Sequence, residues 1–136
     1  MILVPQDIKN ASFEPKMENR FVIEFGEPIS IPSYVVCRAD RPSFYMSGWN
    51  DMLFSVYDPV ASSVSKIILD GLNQLRKQEN QNIDVTIKEL SPVGDIVQIW
   101  EITGEVTYVD FGTWDWKSDE PVKISIRFKV KNVKIK

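Results

Sequence analysis

The clearest structural signal in the sequence is Val122-Lys123-Ile124-Ser125-Ile126-Arg127-Phe128-Lys129-Val130-Lys131, near the end of a chain of 136 residues. Apolar side chains alternate here with polar or basic ones, which is the period of two expected for a strand buried on one face. After Lys131-Asn132 the apolar series continues out of phase at Val133 and Ile135. This slip predicts a β-bulge near Lys131 in an otherwise continuous strand.

A second long strand is predicted over residues 96–111, where apolar side chains alternate with acids and threonines. Trp100 belongs to the apolar face and is expected to be buried. Gly104 predicts a bend or bulge within the strand, and the shift of the apolar phase to Val109 and Phe111 predicts a second irregularity. Shorter strands are predicted at residues 20–25, 33–38, 51–57 and 83–90.

One helix is predicted, over about residues 59–77, with Asp58 as its N-cap and Pro59 at its first position. Its apolar side chains lie on one stripe at helical spacing, as expected for a helix that packs on a sheet. The predicted fold class is therefore mainly β: a sandwich or barrel of roughly 7–8 antiparallel strands with one flanking helix. We expect one domain over residues 1–136. The apolar stripe consists of Val60, Val64, Ile67, Ile68, Leu72 and Leu75.

The composition argues against catalysis and against membrane insertion. The sequence has no histidine, which weighs against a Ser-His-Asp triad, a histidine zinc site or a histidine general base. Its single cysteine cannot form an internal disulfide. No apolar run approaches the roughly 18 residues that a membrane-spanning helix needs. We therefore expect no catalytic residue, no metal and no cofactor.

Charge is segregated along the chain. Residues 1–88 carry 11 acids and 9 bases, residues 89–120 carry 8 acids and one lysine, and residues 121–136 carry six bases and no acid. We favour the interpretation that the acidic and basic segments are neighbouring strands whose side chains pair across the ladder. The alternative is that acidic and basic surfaces of different copies of the protein meet.

Two groupings of acids and tryptophans allow other functions. A hydrolase or Ca²⁺ site would use Asp115, Asp119 and Glu120, which lie close to two tryptophans. This reading ranks last, because the spacing matches no EF-hand loop and nothing marks a general acid in an apolar pocket. A non-catalytic β-sandwich binding module ranks higher, because half-exposed tryptophans are common contact residues. Its contact surface would consist of Trp49, Trp114 and Trp116.

Short motifs in a fixed order give a family resemblance that runs nearly from end to end. Through these motifs and their order, the sequence resembles the tail-tube proteins of contractile-tailed, myovirus-like phages and the related tube proteins of contractile injection systems. Residues 1–18 lie outside the resemblance and are expected to form an extended N-terminal arm. The lysine-rich ending departs from the less basic final strand of the family, so a specialised tube protein at one end remains an alternative to the repeating subunit. The motifs are Asn19-Arg20-Phe21, Pro32-Ser33-Tyr34, Ala39-Asp40-Arg41-Pro42-Ser43-Phe44, Trp49-Asn50-Asp51, Tyr57-Asp58-Pro59-Val60-Ala61, Leu90-Ser91-Pro92-Val93-Gly94-Asp95, Val109-Asp110-Phe111-Gly112 and Asp115-Trp116-Lys117-Ser118-Asp119-Glu120-Pro121-Val122.

The resemblance implies a structural role and no enzymatic activity. Such proteins form hexameric rings that stack into a hollow conduit for DNA inside a contractile sheath. The implied partners are further copies of the chain, the sheath protein, and baseplate and tube-initiator proteins. The implied location is the tail tube of a virion, assembled in the host cytoplasm. The alternative within this class is the tube of a bacterial contractile injection or type VI secretion-like system.

The segment over residues 39–50 is the first predicted contact between copies. It has the Pro and Gly of a loop, yet an unusual number of large apolar side chains, and such a patch on a surface normally marks a contact site. We expect it to bridge subunits, from one ring to the next. The residues predicted to make the contact are Arg41, Phe44, Tyr45 and Trp49.

The two charged strands supply the remaining predicted sites. Lys129 and Lys131 are expected to take part in contacts between copies, because the basic face of the final strand is uniform. Glu101 and Glu105 are expected to face the lumen, because a DNA conduit lined by lysines would bind phosphates along its whole length. A lumen lined instead by Lys123, Arg127 and Lys129 would refute this expectation.

Overall fold

Eight β-strands and one α-helix make up residues 14–61 and 63–136, the part of the chain that the computed structural model describes. The predicted class, mainly β with one helix, is confirmed. Of the predicted N-terminal arm, residues 1–13 lie outside the described residues. The elements are β1 Phe21–Phe25, β2 Val36–Ala39, β3 Phe44–Tyr45, β4 Gly48–Trp49, β5 Met52–Tyr57, α1 Val64–Arg76, β6 Ile83–Leu90, β7 Ile96–Asp110 and β8 Lys123–Ile135.

Six of the strands form one antiparallel sheet in the order β1-β6-β7-β8-β5-β2. The sheet curls into a nearly closed barrel, so that β1 and β2 are its two edges. The sequence left a sandwich and a barrel open, and the observed architecture is the barrel. The strands β3 and β4 form a separate small hairpin between β2 and β5.

The hairpin of β7 and β8 is the longest ladder in the sheet, and both predicted irregularities are found in it. Thr103 pairs with Asn132 and Gly104 with Val130, which leaves Lys131 as the extra residue of a bulge. A second register shift lies between Val106 and Tyr108. A side chain at Gly104 would collide with the β8 backbone and come within 2.7 Å of the Phe128 ring, so this close approach requires glycine.

The core lies inside the curled sheet and is closed by α1. Phe54 is fully buried and packs edge-on against Phe25 at 5.0 Å and Phe128 at 6.1 Å between ring centroids. The inward residues of β8 are the apolar members of the alternation read from the sequence: Ile124, Ile126, Phe128 and Val130. Their burial explains why this strand gives the strongest sequence signal.

The helix begins later than predicted. Ser63, not Asp58, is its N-cap, with the Ser63 hydroxyl accepting from the backbone N–H of Lys66. Asp58, although it lies before the helix, still hydrogen-bonds to its first turn. The Asp58 carboxylate accepts the backbone N–H of Val64 at 2.8 Å and that of Ser65 at 3.3 Å. Val60, predicted on the buried stripe, is fully exposed. No helix in the described residues is long and apolar enough to cross a membrane.

The strand predicted at residues 33–38 is shorter than expected. Residues Ser33–Val35 form a 3-10 turn, and β2 begins only at Val36. The reason is local: the Val35 N–H donates to the Pro32 carbonyl at 3.2 Å, which removes it from the ladder.

Gly71 provides a test of how α1 packs. A Cβ at this position would lie 2.6 Å from the Pro28 carbonyl oxygen and 2.9 Å from an Ile29 side-chain carbon. Overpacking of this kind costs about 1–3 kcal/mol, which exceeds the gain of about 1 kcal/mol in helix propensity. Gly71→Ala is therefore expected to lower the free energy of unfolding, measured by urea denaturation.

The matched control is Asn73→Ala on the exposed side of the same helix. Alanine gains helix propensity there without a collision, so this variant is expected to be as stable as the parent or more stable. An increase in stability for Gly71→Ala equal to that of the control would contradict the close packing.

Candidate functional site

The barrel has two chemically different ends. At one end β7 is joined to β8 by residues 111–122, here called the tryptophan loop. At the other end β6 is joined to β7, and the ladder pairs Phe21 with Glu89 and Trp100 with Ile135. We call this second end the groove end. Exposed large apolar side chains occur at both ends, and exposed apolar patches of this kind normally mark contact sites. They include Val60, Tyr108, Phe111, Trp114 and Trp116 at the loop end, and Met17, Val93, Ile96, Val97 and Ile135 at the groove end.

A groove of about 1060 Å³ lies between the edge strands β1 and β2 and reaches the groove end. Its charged centre is Glu89, whose carboxylate accepts from the Trp100 indole N–H at 2.6 Å. The same carboxylate pairs with Arg41 at 3.2 Å and Lys16 at 3.3 Å. The Arg41 guanidinium also lies 5.2 Å from the centre of the Trp100 ring, within cation–π range. Two cations and an indole thus surround one half-buried carboxylate.

These contacts set the ionisation of Glu89. Burial, the largest contribution, would by itself raise the pKa of Glu89. The hydrogen bonds from Trp100 and Lys16, with the charges of Arg41 and Lys16, outweigh burial and hold the pKa below its ordinary value. Trp100, expected to be buried, is half-buried because its polar edge faces this groove.

The predicted contact segment over residues 39–50 forms the β3–β4 hairpin rather than an irregular loop. Three of its four predicted contact residues, Arg41, Phe44 and Tyr45, are exposed. Trp49 is half-buried against the core and packs on Phe44 at 4.9 Å between centroids. Trp49 therefore fixes the hairpin to the barrel, and Met46, at the tip and 96% exposed, takes its place on the free surface.

The tryptophan loop is the most exposed apolar segment of the barrel ends. Trp114 and Trp116 are fully exposed, and Trp116 lies within a turn that starts at Asp115. Asp115 makes that turn: its carboxylate accepts the Lys117 N–H at 3.0 Å, and its carbonyl accepts the Ser118 N–H at 3.1 Å. Sequence reasoning placed these tryptophans in a generic binding module; their fully solvated positions at one barrel end could only be seen in the fold.

The acids considered for a hydrolase or metal site lie on this same loop. Asp115, Asp119 and Glu120 are all exposed, whereas a general acid needs a desolvated setting. Within the described residues, no group of three or more metal-binding side chains is close enough to hold an ion.

The acidic and basic strands meet within one chain, as the favoured interpretation predicts. Glu105 pairs with Lys131 at 2.8 Å and Glu101 with Lys136 at 2.6 Å. The hydrogen bond from Lys131 lowers the pKa of Glu105. Lys129 stands opposite Glu105 in the ladder and is exposed. The participation of Lys129 and Lys131 in contacts between copies stays a prediction.

The residues proposed for an acidic lumen share a sheet face with the basic ones. Glu105 and Lys129 are directly opposite in adjacent strands, and opposite residues project to the same side. Glu101, further along β7, lies on that face too, facing Lys134. Any surface made by this sheet face therefore carries both acidic and basic side chains, and it is neither purely acidic nor purely basic.

The long hairpin leaves two strand edges open among the described residues. Pairing with β6 ends at Gly104, so β7 from Glu105 to Asp110 is bonded only to β8. Pairing with β5 ends at Phe128, so β8 from Lys129 to Ile135 is bonded only to β7. Open edges of this kind are templates for pairing with another chain.

The fold is shared with solved contractile injection systems. A chain of the PVC extracellular contractile injection system sheath–tube complex in the extended state superposes with a TM-score of 0.69, at 14% identity over 99% of both chains. The tube-terminating cap of the anti-feeding prophage gives 0.67 at 15% identity, covering 90% of this chain and 91% of that one. The PVC sheath/tube terminator in the extended state gives 0.67 at 14% identity, covering 90% and 96%.

The chain has the fold of chains solved in contractile injection system sheath–tube, cap and terminator assemblies. The resemblance read from the sequence motifs is thereby confirmed at the level of the fold. No protein-family model matches the sequence, and no curated protein matches it.

Glu89 yields a pH-dependent prediction. A carboxylate whose pKa is lowered by folding stabilises the protein above its unfolded pKa of about 4.3, and this contribution is lost as pH falls through the folded value. Glu89→Gln is expected to unfold at lower urea concentration than the parent at neutral pH. The difference should shrink as the pH falls from about 4.3 through the lowered pKa of folded Glu89, below which the parent side chain is also neutral.

The control is Glu79→Gln, a change at an exposed acid between α1 and β6. It is expected to leave the urea midpoint unchanged at both pH values. A Glu89→Gln deficit that persists undiminished in acid would show that shape, not charge, explains the effect.

Proposed function

We propose that this protein is a non-catalytic structural subunit of a contractile tail or injection-system tube, forming hexameric rings that stack into a hollow conduit. The pair of open strand edges on the β7–β8 hairpin carries this proposal. The shared fold supports it, since the similar chains come from sheath–tube, cap and terminator assemblies.

The open edges explain how copies can join side by side. They lie on opposite sides of the hairpin, one towards β6 and one towards β5. The β7 edge of one copy can therefore pair with the β8 edge of the next, and repetition around a closed ring leaves neither of these two hairpin edges exposed. The open part of β8 carries Lys129, Lys131 and Lys134 and no acid, whereas that of β7 carries Glu105 and Asp110 and no base. Opposite charges would therefore approach at each junction.

The charged sheet face that includes Glu101 and Glu105 is the proposed lining of the conduit. Its lysines are partly neutralised within the chain by these two acids. A lining with paired charges forms fewer phosphate contacts than a bare basic strand, so it would let DNA slide without strong binding.

Two contexts fit this role. One is a phage tail, in which the conduit would carry DNA, and the other is the tube of a bacterial contractile injection or type VI secretion-like system. In both, the further partners are the surrounding sheath protein and the baseplate or tube-initiator proteins. The solved structures with this fold include a baseplate assembly as well, at 16% identity and a TM-score of 0.61.

Electron microscopy of the purified protein tests the proposal. We expect six-fold rings in negative stain, and hollow tubes when the protein is concentrated or mixed with its own baseplate. A protein that stays monomeric at all concentrations, with or without baseplate, would contradict the role of tube subunit.

The β3–β4 hairpin gives a second test, at the contact between rings. Tyr45→Ala with Met46→Ala removes two exposed side chains while Trp49 continues to anchor the hairpin. We expect folded rings with an unchanged melting temperature and much shorter tubes. Tubes of normal length would show that the hairpin faces solvent in the assembly.

A further inference from the structure

We propose that the tryptophan loop of one copy docks into the Arg41–Trp100 groove of a second copy in the adjacent ring. This inference rests on the proposed function and names the surfaces that would stack one ring on the next. The occupant of the groove is therefore a segment of the same protein, residues 111–122, supplied by another subunit.

The first observation is the exposure of the loop. Trp114 is 99% exposed and Trp116 is 104% exposed, so nothing in the described part of the chain covers either indole. Tryptophan is one of the three residue types enriched at the energetic centres of interfaces, with tyrosine and arginine. The two fully solvated tryptophans are two residues apart, with Trp116 inside the turn that Asp115 holds, and they make a preformed contact surface rather than scattered exposure.

The second observation is position. The groove contains Trp100, and the loop begins just after Asp110, at the far end of the same strand. At about 3.3 Å per residue, roughly 30 Å of strand separates the loop from Trp100, and no residue of the loop lines the groove of its own subunit. Translation of a second copy along the barrel brings its loop towards the first copy's groove. Such a head-to-tail contact uses different surfaces on the two partners, which permits an open stack.

The third observation is charge. The loop carries three acids and one lysine, a net charge of −2. The charged residues lining the groove are four bases and three acids, a net charge of +1. Within the groove the Glu89 carboxylate is shared by two cations, so Arg41 keeps donors available for a carboxylate of the loop.

The fourth observation is chemical fit. The groove is lined by aromatic and aliphatic side chains beside its cations, including Phe21, Tyr34, Val36 and Trp100. Its volume of about 1060 Å³ is that of a site for a sizeable ligand. An indole can pack on such a surface while a neighbouring loop acid meets the arginine. The sequence of the loop, tryptophan alternating with acid and lysine, matches this mixture.

The first experiment compares tube formation by three proteins: the parent, Trp114→Ala with Trp116→Ala, and Leu69→Ala. Leu69 is an exposed apolar residue on α1 that belongs to neither the tryptophan loop nor the groove lining, and it serves as the matched control. Loss of an anchoring tryptophan typically costs about 2 kcal/mol or more, which is about 30-fold. We expect the double variant to form rings but to need at least about 30-fold more protein for tubes, and the control to behave like the parent.

The second experiment identifies the partner surface by disulfide formation. With Cys37 replaced by serine, Trp116→Cys is combined with Arg41→Cys, and the tubes are oxidised and run without reductant. Docking between rings links copies along the stack, which predicts covalent products that exceed the size of one ring. The distance along β7 prevents a bond within one subunit, because a disulfide needs Cα atoms within about 7 Å. Leu69→Cys with Arg41→Cys is the matched pair expected to remain unlinked.

The outcomes separate this inference from the proposed function. Normal tubes from the double tryptophan variant, or cross-linked products that stop at one ring, overturn the docking inference and leave the tube intact. Loss of sheath binding with normal tubes likewise overturns it, since the loop would then face the sheath. Absence of rings and tubes from the unmodified protein instead overturns the proposed function.

Discussion

The antiparallel pairing of β7 with β8 is the interaction on which the rest of this structure depends. It aligns the apolar residues of both strands on the inner face, where Phe128 and Ile102 enter the core, and their charged residues on the other. The ladder also runs past the ends of its neighbours, since β6 and β5 each cover only half of it. One pairing therefore produces the core, the charged face and the open edges together.

The bulges make this long ladder compatible with a curled sheet. A regular strand of this length would be too flat to close a barrel, and extra residues increase the local twist. At Lys131 the bulge also turns a basic side chain towards Glu105, so the same device that bends the strand creates an ion pair. Gly104 allows the partner backbone to approach at this point, which no residue with a side chain permits.

Because the two ends of the barrel differ chemically, they are not equivalent as contact surfaces. Apolar side chains are exposed at both ends, but one presents acidic residues on a loop and the other presents cations around Glu89. A surface that is not complementary to itself favours head-to-tail association over a closed dimer. Identity of 14–16% to structures with this fold indicates how little of the sequence the barrel needs, because an alternating pattern with conserved volume suffices for its core.

The sequence was enough to predict the class of the fold, the long strands and their bulges, because an alternation of apolar and polar residues and its interruptions are local properties. It also indicated the pairing of charges between β7 and β8. It missed the start of α1, because Ser63 and Asp58 are both good caps and only packing decides which one ends the loop. The cluster of Lys16, Arg41, Glu89 and Trp100 was beyond it, since these residues come from separate segments that only the curled sheet brings together. Likewise, the placement of the tryptophan loop and the groove at opposite ends was decided by the tertiary structure, because strand register and direction, not sequence distance, determine which end of a barrel a residue occupies.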